Sequence, residues 1–217
     1  MSQKPDPHIS AEVKINLTIL VLGAMVMILN ETALSVALPT IMADFGIPAT
    51  SAQWLLTGFL LTMGVVIPTT GFLMDKFTTR QIFLAASGAF LAGTVLAALA
   101  PAFGVLLVGR VFQAAGTALM IPTLMTVAMT LVPPQRRGSV MGIISVVISV
   151  APALGPTVGG FVLSMSSWHV IFWTMVPLLG LICAAGYFRL VNVGDKRDTP
   201  LDFPSVILSV IAFGGLV

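Results

Sequence analysis

The chain has 217 residues, of which 57% are hydrophobic and only 8% charged, with a formal net charge of +2. A soluble domain carries about 25% charged residues, so this composition excludes an ordinary water-facing surface, and a mean hydropathy of +1.06 points to a multi-span membrane protein. The sequence pI near 9.0 does not imply a nucleic-acid partner, because so few basic residues are explained by membrane orientation and by contact with anionic headgroups.

A spanning helix needs about 20 apolar residues. Such runs are predicted at 15–38, 51–73, 81–100, 103–132, 139–164 and 168–189, with a further start at 203. The chain then divides into an N-terminal tail (1–14), a six-helix transmembrane bundle (15–190), a linker (191–202) and the opening of a seventh span (203–217) too short to cross upright, which reads as truncated. Lys4 and Lys14 precede the first run, as in a signal peptide, but apolar character continues to Leu38 and no small-x-small site closes it.

The basic residues set the orientation. Lys4, Lys14, Lys76, Arg80, Arg136, Arg137, Arg189, Lys196 and Arg197 all fall on one side, which the positive-inside rule makes the cytoplasm, together with the N-terminus. The opposite connections, around Asp44, Pro101 and Ser166, contain no Lys or Arg. Trp54, Trp168 and Trp173 fall where an outer aromatic belt would place them. Cys183, the single cysteine, has no internal disulfide partner.

Two charges stand alone inside apolar runs: Glu31 in span one and Arg110 in span four. A charge at the centre of a spanning helix costs about 2.5–3.5 kcal/mol on insertion scales, so it marks either a structural pair or a functional pathway. Helical rise puts Glu31 roughly 24 Å above Ile15 and Arg110 roughly 10 Å below Phe103, at similar depth in the outer half. A carboxylate in a low-dielectric site can exchange a proton near neutral pH, whereas a guanidinium stays charged and makes directed hydrogen bonds. Asn30, Thr32, Gln113 and Thr117 add polar atoms nearby, which implies a polar cavity between spans one and four.

Span five contains Pro152 and Pro156 within a Gly155-x-x-x-Gly159 face followed by Gly160. Such a segment serves as a seam at which bundles rock, or simply as a close-packing motif. After span two, Gly71, Asp75 and Arg80 occupy a short connection in which charge and capping bonds would hold a turn. Leu38-Pro39-Thr40-Ile41-Met42 echoes Ile121-Pro122-Thr123-Leu124-Met125, as an inverted three-helix repeat would. No paired carboxylates, metal-spaced ligands or nucleophile–base pairs accompany them, which argues against an enzyme.

These residues resemble the major facilitator superfamily, and within it the fourteen-span drug:proton antiporters related to lincomycin-resistance and EmrB/QacA-type exporters. Gly71, Leu73, Asp75 and Arg80 match the loop pattern G-x-L-x-D-x-x-G-(R/K)-x; Arg110, Gln113 and Gly116 match R-x-x-Q-G-x-G; Gly155, Pro156, Gly159 and Gly160 match the antiporter pattern G-P-x-x-G-G. Leu29-Asn30-Glu31-Thr32 with Val36-Ala37-Leu38-Pro39 resembles a first-span L-D-x-T-x-x-x-V-A-L-P element, and Trp168, Phe172 and Pro177 resemble a sixth-span element, while Leu201-Asp202 matches the start of an extra seventh helix. The resemblance implies the N-terminal six-helix half of an all-α transporter built from 3+3 inverted repeats. It implies export of amphipathic small molecules from a bacterial cytoplasm in exchange for protons, with no cofactor beyond the proton gradient and with a missing C-terminal half as partner. Glu31, Arg110 and Gln113 would couple protons, Asn30, Thr32 and Thr117 would line the cavity, Pro152 to Gly160 would form the hinge, and Gly71, Asp75 and Arg80 the gating loop. The chain departs from the pattern at Asn30, where the family commonly has aspartate, at Thr78 and Thr79, at Ala114 and at Met175. A chain of this kind alone could also be a non-transporting half or an assembly partner.

Overall fold

In the apolar runs each backbone N–H and C=O must find its partner inside the segment, so helices are the available solution. The computed structural model describes residues 9–192; the linker beyond Asn192, the seventh span and most of the N-terminal tail lie outside the described residues. It contains α1 (Ala11–Phe45), α2 (Ala49–Ala52), α3 (Trp54–Lys76), α4 (Thr79–Ala98), α5 (Phe103–Leu131), α6 (Pro134–Met165) and α7 (His169–Arg189). Among the described residues six stretches are long and apolar enough to cross a membrane, α2 and α3 acting as one.

Where the observed bounds differ from the apolar runs, capping chemistry explains the difference. Hydropathy ended span one at Leu38, but α1 continues to Phe45, where Gly46 adopts φ +61° and the Ile47 N–H donates to the Met42 carbonyl, the 6→1 bond of a Schellman ending. Ser10 caps its start by accepting from the Val13 N–H. Its 35 residues make about 52 Å of helix, longer than the roughly 30 Å hydrocarbon core, so α1 projects beyond it. Span five begins earlier than its apolar run because Pro134 suits the first helical position and lets Arg136 and Arg137 join the first turns. The helix then runs unbroken through Pro152 and Pro156.

The packing has the symmetry expected of an inverted repeat. α1 packs on α5, α6 and α7; α5 packs on α3 and α4; α4 packs on α7. Exchanging α1 with α5, α3 with α6 and α4 with α7 maps these pairs onto one another, and Pro39 and Pro122 of the echoed segments lie inside α1 and α5. α3 and α6 bury least of their surface and expose aliphatic side chains such as Leu60, Ile67, Ile143 and Val146. In a bilayer those faces need lipid or another helix, not water.

Buried apolar residues form two clusters. One, toward the basic end, centres on Leu20, Met27, Phe83, Phe90, Met120 and Leu179. The other, toward the Asp44 end, centres on Leu34, Ile41, Leu55, Leu106, Trp168 and Phe172. Trp168 is a strut rather than a belt residue: it is 1% exposed, and its indole N–H donates to Asp44 Oδ2 at 3.0 Å, while Trp54 and Trp173 remain exposed. Trp168→Phe is expected to lower stability by about 1 kcal/mol, read as a shifted unfolding midpoint, because it removes that bond but leaves Asp44 open to solvent.

Candidate functional site

Between the two apolar clusters lies a buried polar layer. Asn30 (α1), Thr94 (α4) and Arg110, Gln113 and Thr117 (α5) are each at most 1% exposed. Buried polar groups are costly unless bonded, and here one side chain does most of the bonding. The Gln113 amide N–H₂ donates to Asn30 Oδ1 at 3.1 Å and to Thr94 Oγ1 at 2.9 Å, while its Oε1 accepts from Arg110 Nη1 at 2.9 Å. Gln113 thereby ties α1, α4 and α5 together. Arg110 also donates from Nε to the Leu55 carbonyl at 3.3 Å and lays its guanidinium 4.2 Å from the Phe59 ring centroid, which reaches α3. Thr117 Oγ1 donates to the Gln113 carbonyl within its own helix.

Glu31 is one residue from Asn30, but the roughly 100° step of a helix turns it onto another face. α1 and α3 each pack on α5 and share no packed seam across the membrane, so a cleft opens between them. That cleft has room for about 230 Å³ and is lined by Glu31, Thr32, Ser35, Leu56, Phe59, Leu60 and Arg110. Arg110 is its buried floor and Glu31 its half-buried wall. Among the described residues the two form no ion pair, yet they face one space and attract through it.

The sequence expectations divide accordingly. Arg110 bonds Gln113 and shares the cleft with Glu31 and Thr32, while Gln113, Asn30 and Thr117 sit in the buried network behind it rather than on an open surface. Thr94, Phe59 and the Leu55 carbonyl were not anticipated. Thr94 had a signal, a hydroxyl inside an apolar run; a carbonyl and a phenyl ring carry none.

Gly155 and Gly159 are required by close approach. A Cβ on Gly155 would lie 2.7 Å from Thr32 Cβ and 3.0 Å from the Ala33 nitrogen, and one on Gly159 would lie 2.7 Å from the Ala33 oxygen. The α6 backbone therefore rests on the two residues that follow Glu31. Thr32 Oγ1 bonds back to the Ile28 and Leu29 carbonyls at 3.1 and 3.2 Å, so that turn of α1 is held on both sides. Pro152 and Pro156 are exposed, and a Cβ on Gly160 would meet open space.

At the basic end a capping box closes the turn after α3. Thr78 Oγ1 accepts from the Gln81 N–H and the Thr78 N–H donates to Gln81 Oε1, a full capping box. Asp75 is exposed and Gly71 touches nothing within reach of a Cβ. Arg80 turns instead to the end of α7: its guanidinium lies 4.8 Å from the Tyr187 ring, and its backbone N–H donates to Asn192 Oδ1. Asp75 is in the last turn of α3 and Arg80 in the first of α4, across the capped turn from it.

A six-span bundle with a buried polar layer and an acid–base cleft on one flank is the architecture of a membrane transporter. Residues 20–214 match the sequence pattern of the Major Facilitator Superfamily, and the chain belongs to that family. It is 46% identical over 199 residues to the MFS-type transporter YcnB of Bacillus subtilis, covering 92% of this chain and 42% of YcnB. With the lincomycin resistance protein LmrB of the same organism it shares 42% identity over 198 residues, 91% of this chain and 41% of LmrB. The chain thus spans about two fifths of the length of the curated relatives it matches. The crystal structure of the human organic anion transporter MFSD10 shares the fold, with a TM-score of 0.75 at 17% identity over 92% of this chain and 53% of that one.

Proposed function

We propose that this chain carries the proton-coupling half of an exporter that moves amphipathic small molecules or drugs out of a bacterial cytoplasm in exchange for protons. The observation that carries the reading is the cleft between α1 and α3, where a half-buried carboxylate, Glu31, faces the fully buried Arg110. Glu31 holds the proton, Arg110 attracts its ionised form, and Gln113 fixes Arg110 in place. Substrate entering from the cytoplasm favours loss of that proton, and the outward-facing state restores it. One charge crossing 100 mV supplies about 2.3 kcal/mol beyond any pH gradient, which is adequate for concentrative export. The likeness to a lincomycin resistance protein supports drugs as substrates, and the basic residues at one end support a cytoplasmic N-terminus. A second six-helix bundle completes the cavity in this reading, and the α6 seam on Thr32 and Ala33 transmits its rocking to the turn that bears Glu31.

The test is proton-linked dye transport in everted vesicles. Glu31→Gln is expected to lower it at least about tenfold while leaving the folded protein in the membrane; unimpaired transport sinks the assignment of Glu31.

The coverage of about two fifths of each relative favours a second reading, in which this chain alone is a non-transporting half or an assembly partner. Vesicles holding the chain alone test the second reading: efflux contradicts it, and substrate binding without efflux supports it while leaving the first, which requires a second bundle, to be tested with that bundle present.

A further inference from the structure

The two ends of an amide have nearly the same shape, so the neighbours of Gln113 decide which end is oxygen. Arg110 offers only donors, and the Gln113 end that it meets is accordingly the carbonyl. At the other end two oxygens accept from the Gln113 N–H₂, Asn30 Oδ1 and Thr94 Oγ1. They do not hold it equally. Asn30 Nδ2 bonds nothing, so the Asn30 amide can turn and present a donor without breaking any other bond. Thr94 has no such freedom: its hydroxyl proton is committed to the Phe90 carbonyl at 2.7 Å, which leaves only lone pairs for Gln113.

The backbone fixes where that hydroxyl stands. α4 and α5 meet at Gly93, just before Thr94, and at Gly109, just before Arg110. A Cβ on Gly93 would lie 2.9 Å from the Gln113 backbone nitrogen, and one on Gly109 would lie 2.8 Å from the Gly93 oxygen. Helices in such close contact hold Thr94 and Gln113 in register.

Arg110 depends on this polarity. With the amide reversed, Nη1 would face an N–H₂ group and lose its acceptor, leaving the Leu55 carbonyl as the bonded anchor of a buried charge. Of the cleft side chains, Thr32 and Ser35 bond back to their own helix, and Glu31 is the one that offers a negative charge. The cleft is lined from α1, α3 and α5, and among the described residues Glu31 and Arg110 are its titratable groups; α4, α6 and α7 add none. A guanidinium released from Gln113 would therefore turn to Glu31 and hold it ionised, because an unpaired buried charge is costly.

We propose that Thr94 is a positioning residue: as the fixed acceptor for Gln113 it sets which end of that amide faces Arg110, and so keeps the guanidinium docked on the network and off Glu31. The consequence for transport rests on the antiport reading, since a pinned carboxylate cannot exchange its proton; the positioning itself does not.

The experiment is an infrared pH titration of the purified chain in lipid nanodiscs, following the protonated-carboxyl band that Glu31→Gln removes. Thr94→Val keeps the shape and removes the acceptor, and is expected to move the half-protonation point to lower pH by about one unit, a tenfold change in proton affinity. Thr94→Ala is expected to do the same and serves should the valine variant fail to fold. Thr94→Ser is expected to titrate like the unaltered protein, because serine can make the same back-bond, as Ser87 does to the Phe83 carbonyl at 2.7 Å. Asn30→Ala also removes one bond from the Gln113 N–H₂ but leaves its polarity set, and is expected to move the point by much less. Unchanged titration in Thr94→Val and Thr94→Ala overturns the proposal, as does a shift to higher pH. So does a serine variant that titrates like the valine one, or an Asn30→Ala shift of equal size, either of which marks a merely structural role. The readout needs no substrate or gradient, so failure here leaves proton-coupled export standing, while transport that survives Glu31→Gln sinks export and leaves the titration intact.

Discussion

Gln113→Leu is expected to destabilise the bundle by about 3 kcal/mol, measured as the change in unfolding free energy in mixed detergent. The substitution keeps much of the volume and removes three bonds, to Asn30, Thr94 and Arg110. Interhelical hydrogen bonds in membranes average only about 0.6 kcal/mol, with a maximum near 1.7, so two neutral ones account for roughly 1–2 kcal/mol. The third bond is made by a charged donor, and such bonds contribute about 1.5–3 kcal/mol. Thr117→Val is the control, because Thr117 bonds only to a carbonyl of its own helix and should cost less than about 1 kcal/mol. Comparable losses from the two variants would contradict the role given to Gln113 as the tie among α1, α4 and α5.

Gly155→Val is expected to cost at least as much and to act by overpacking rather than by loss of a bond. Even one methyl at this position meets Thr32 and the Ala33 backbone well inside contact distance. Overpacking a tight interface costs about 1–3 kcal/mol per modest insertion, and a branched side chain against backbone belongs at the upper end. Gly160→Ala is the matched control, since its Cβ meets open space and alanine is the better helix former. The pair also separates packing from mere helical propensity: if Gly160→Ala proves as damaging as Gly155→Val, the close approach of α6 to α1 is not what the glycines serve. Because Gly155 abuts Thr32, the surviving fraction of Gly155→Ala should show altered proton coupling before Gly160→Ala does.

Much of this was legible in the amino-acid sequence because membranes impose simple rules. Six apolar runs gave six spans, and Arg110 with Gln113 one turn later on α5 was readable as a buried polar face. Gly155 and Gly159 were readable as a close-packed face, although the neighbour they press on was not. What stayed hidden depended on helix phase relative to neighbours. Asn30 and Glu31 are adjacent in the chain, and which of them enters the network and which faces the cleft is decided by where α5 and α3 lie. The same holds for Trp168, which an interface rule placed in a belt and which Asp44, more than a hundred residues away, holds inside the bundle. Charge and capping bonds were both expected to hold the turn that carries Asp75 and Arg80; the Thr78 capping box is present, while the Arg80 guanidinium lies against Tyr187. Capping also moved the helix ends, since hydropathy does not see Gly46 or Ser10.

The central proposal is that Glu31 rather than its neighbour Asn30 carries the proton. It is tested most directly by adding a transported substrate to the purified, weakly buffered protein at neutral pH and recording proton release with a pH indicator. Release is expected from the unaltered protein and from Asn30→Ala, and is expected to vanish in Glu31→Gln and to return in Glu31→Asp. Undiminished release from Glu31→Gln would contradict the account and would move the proton to another group.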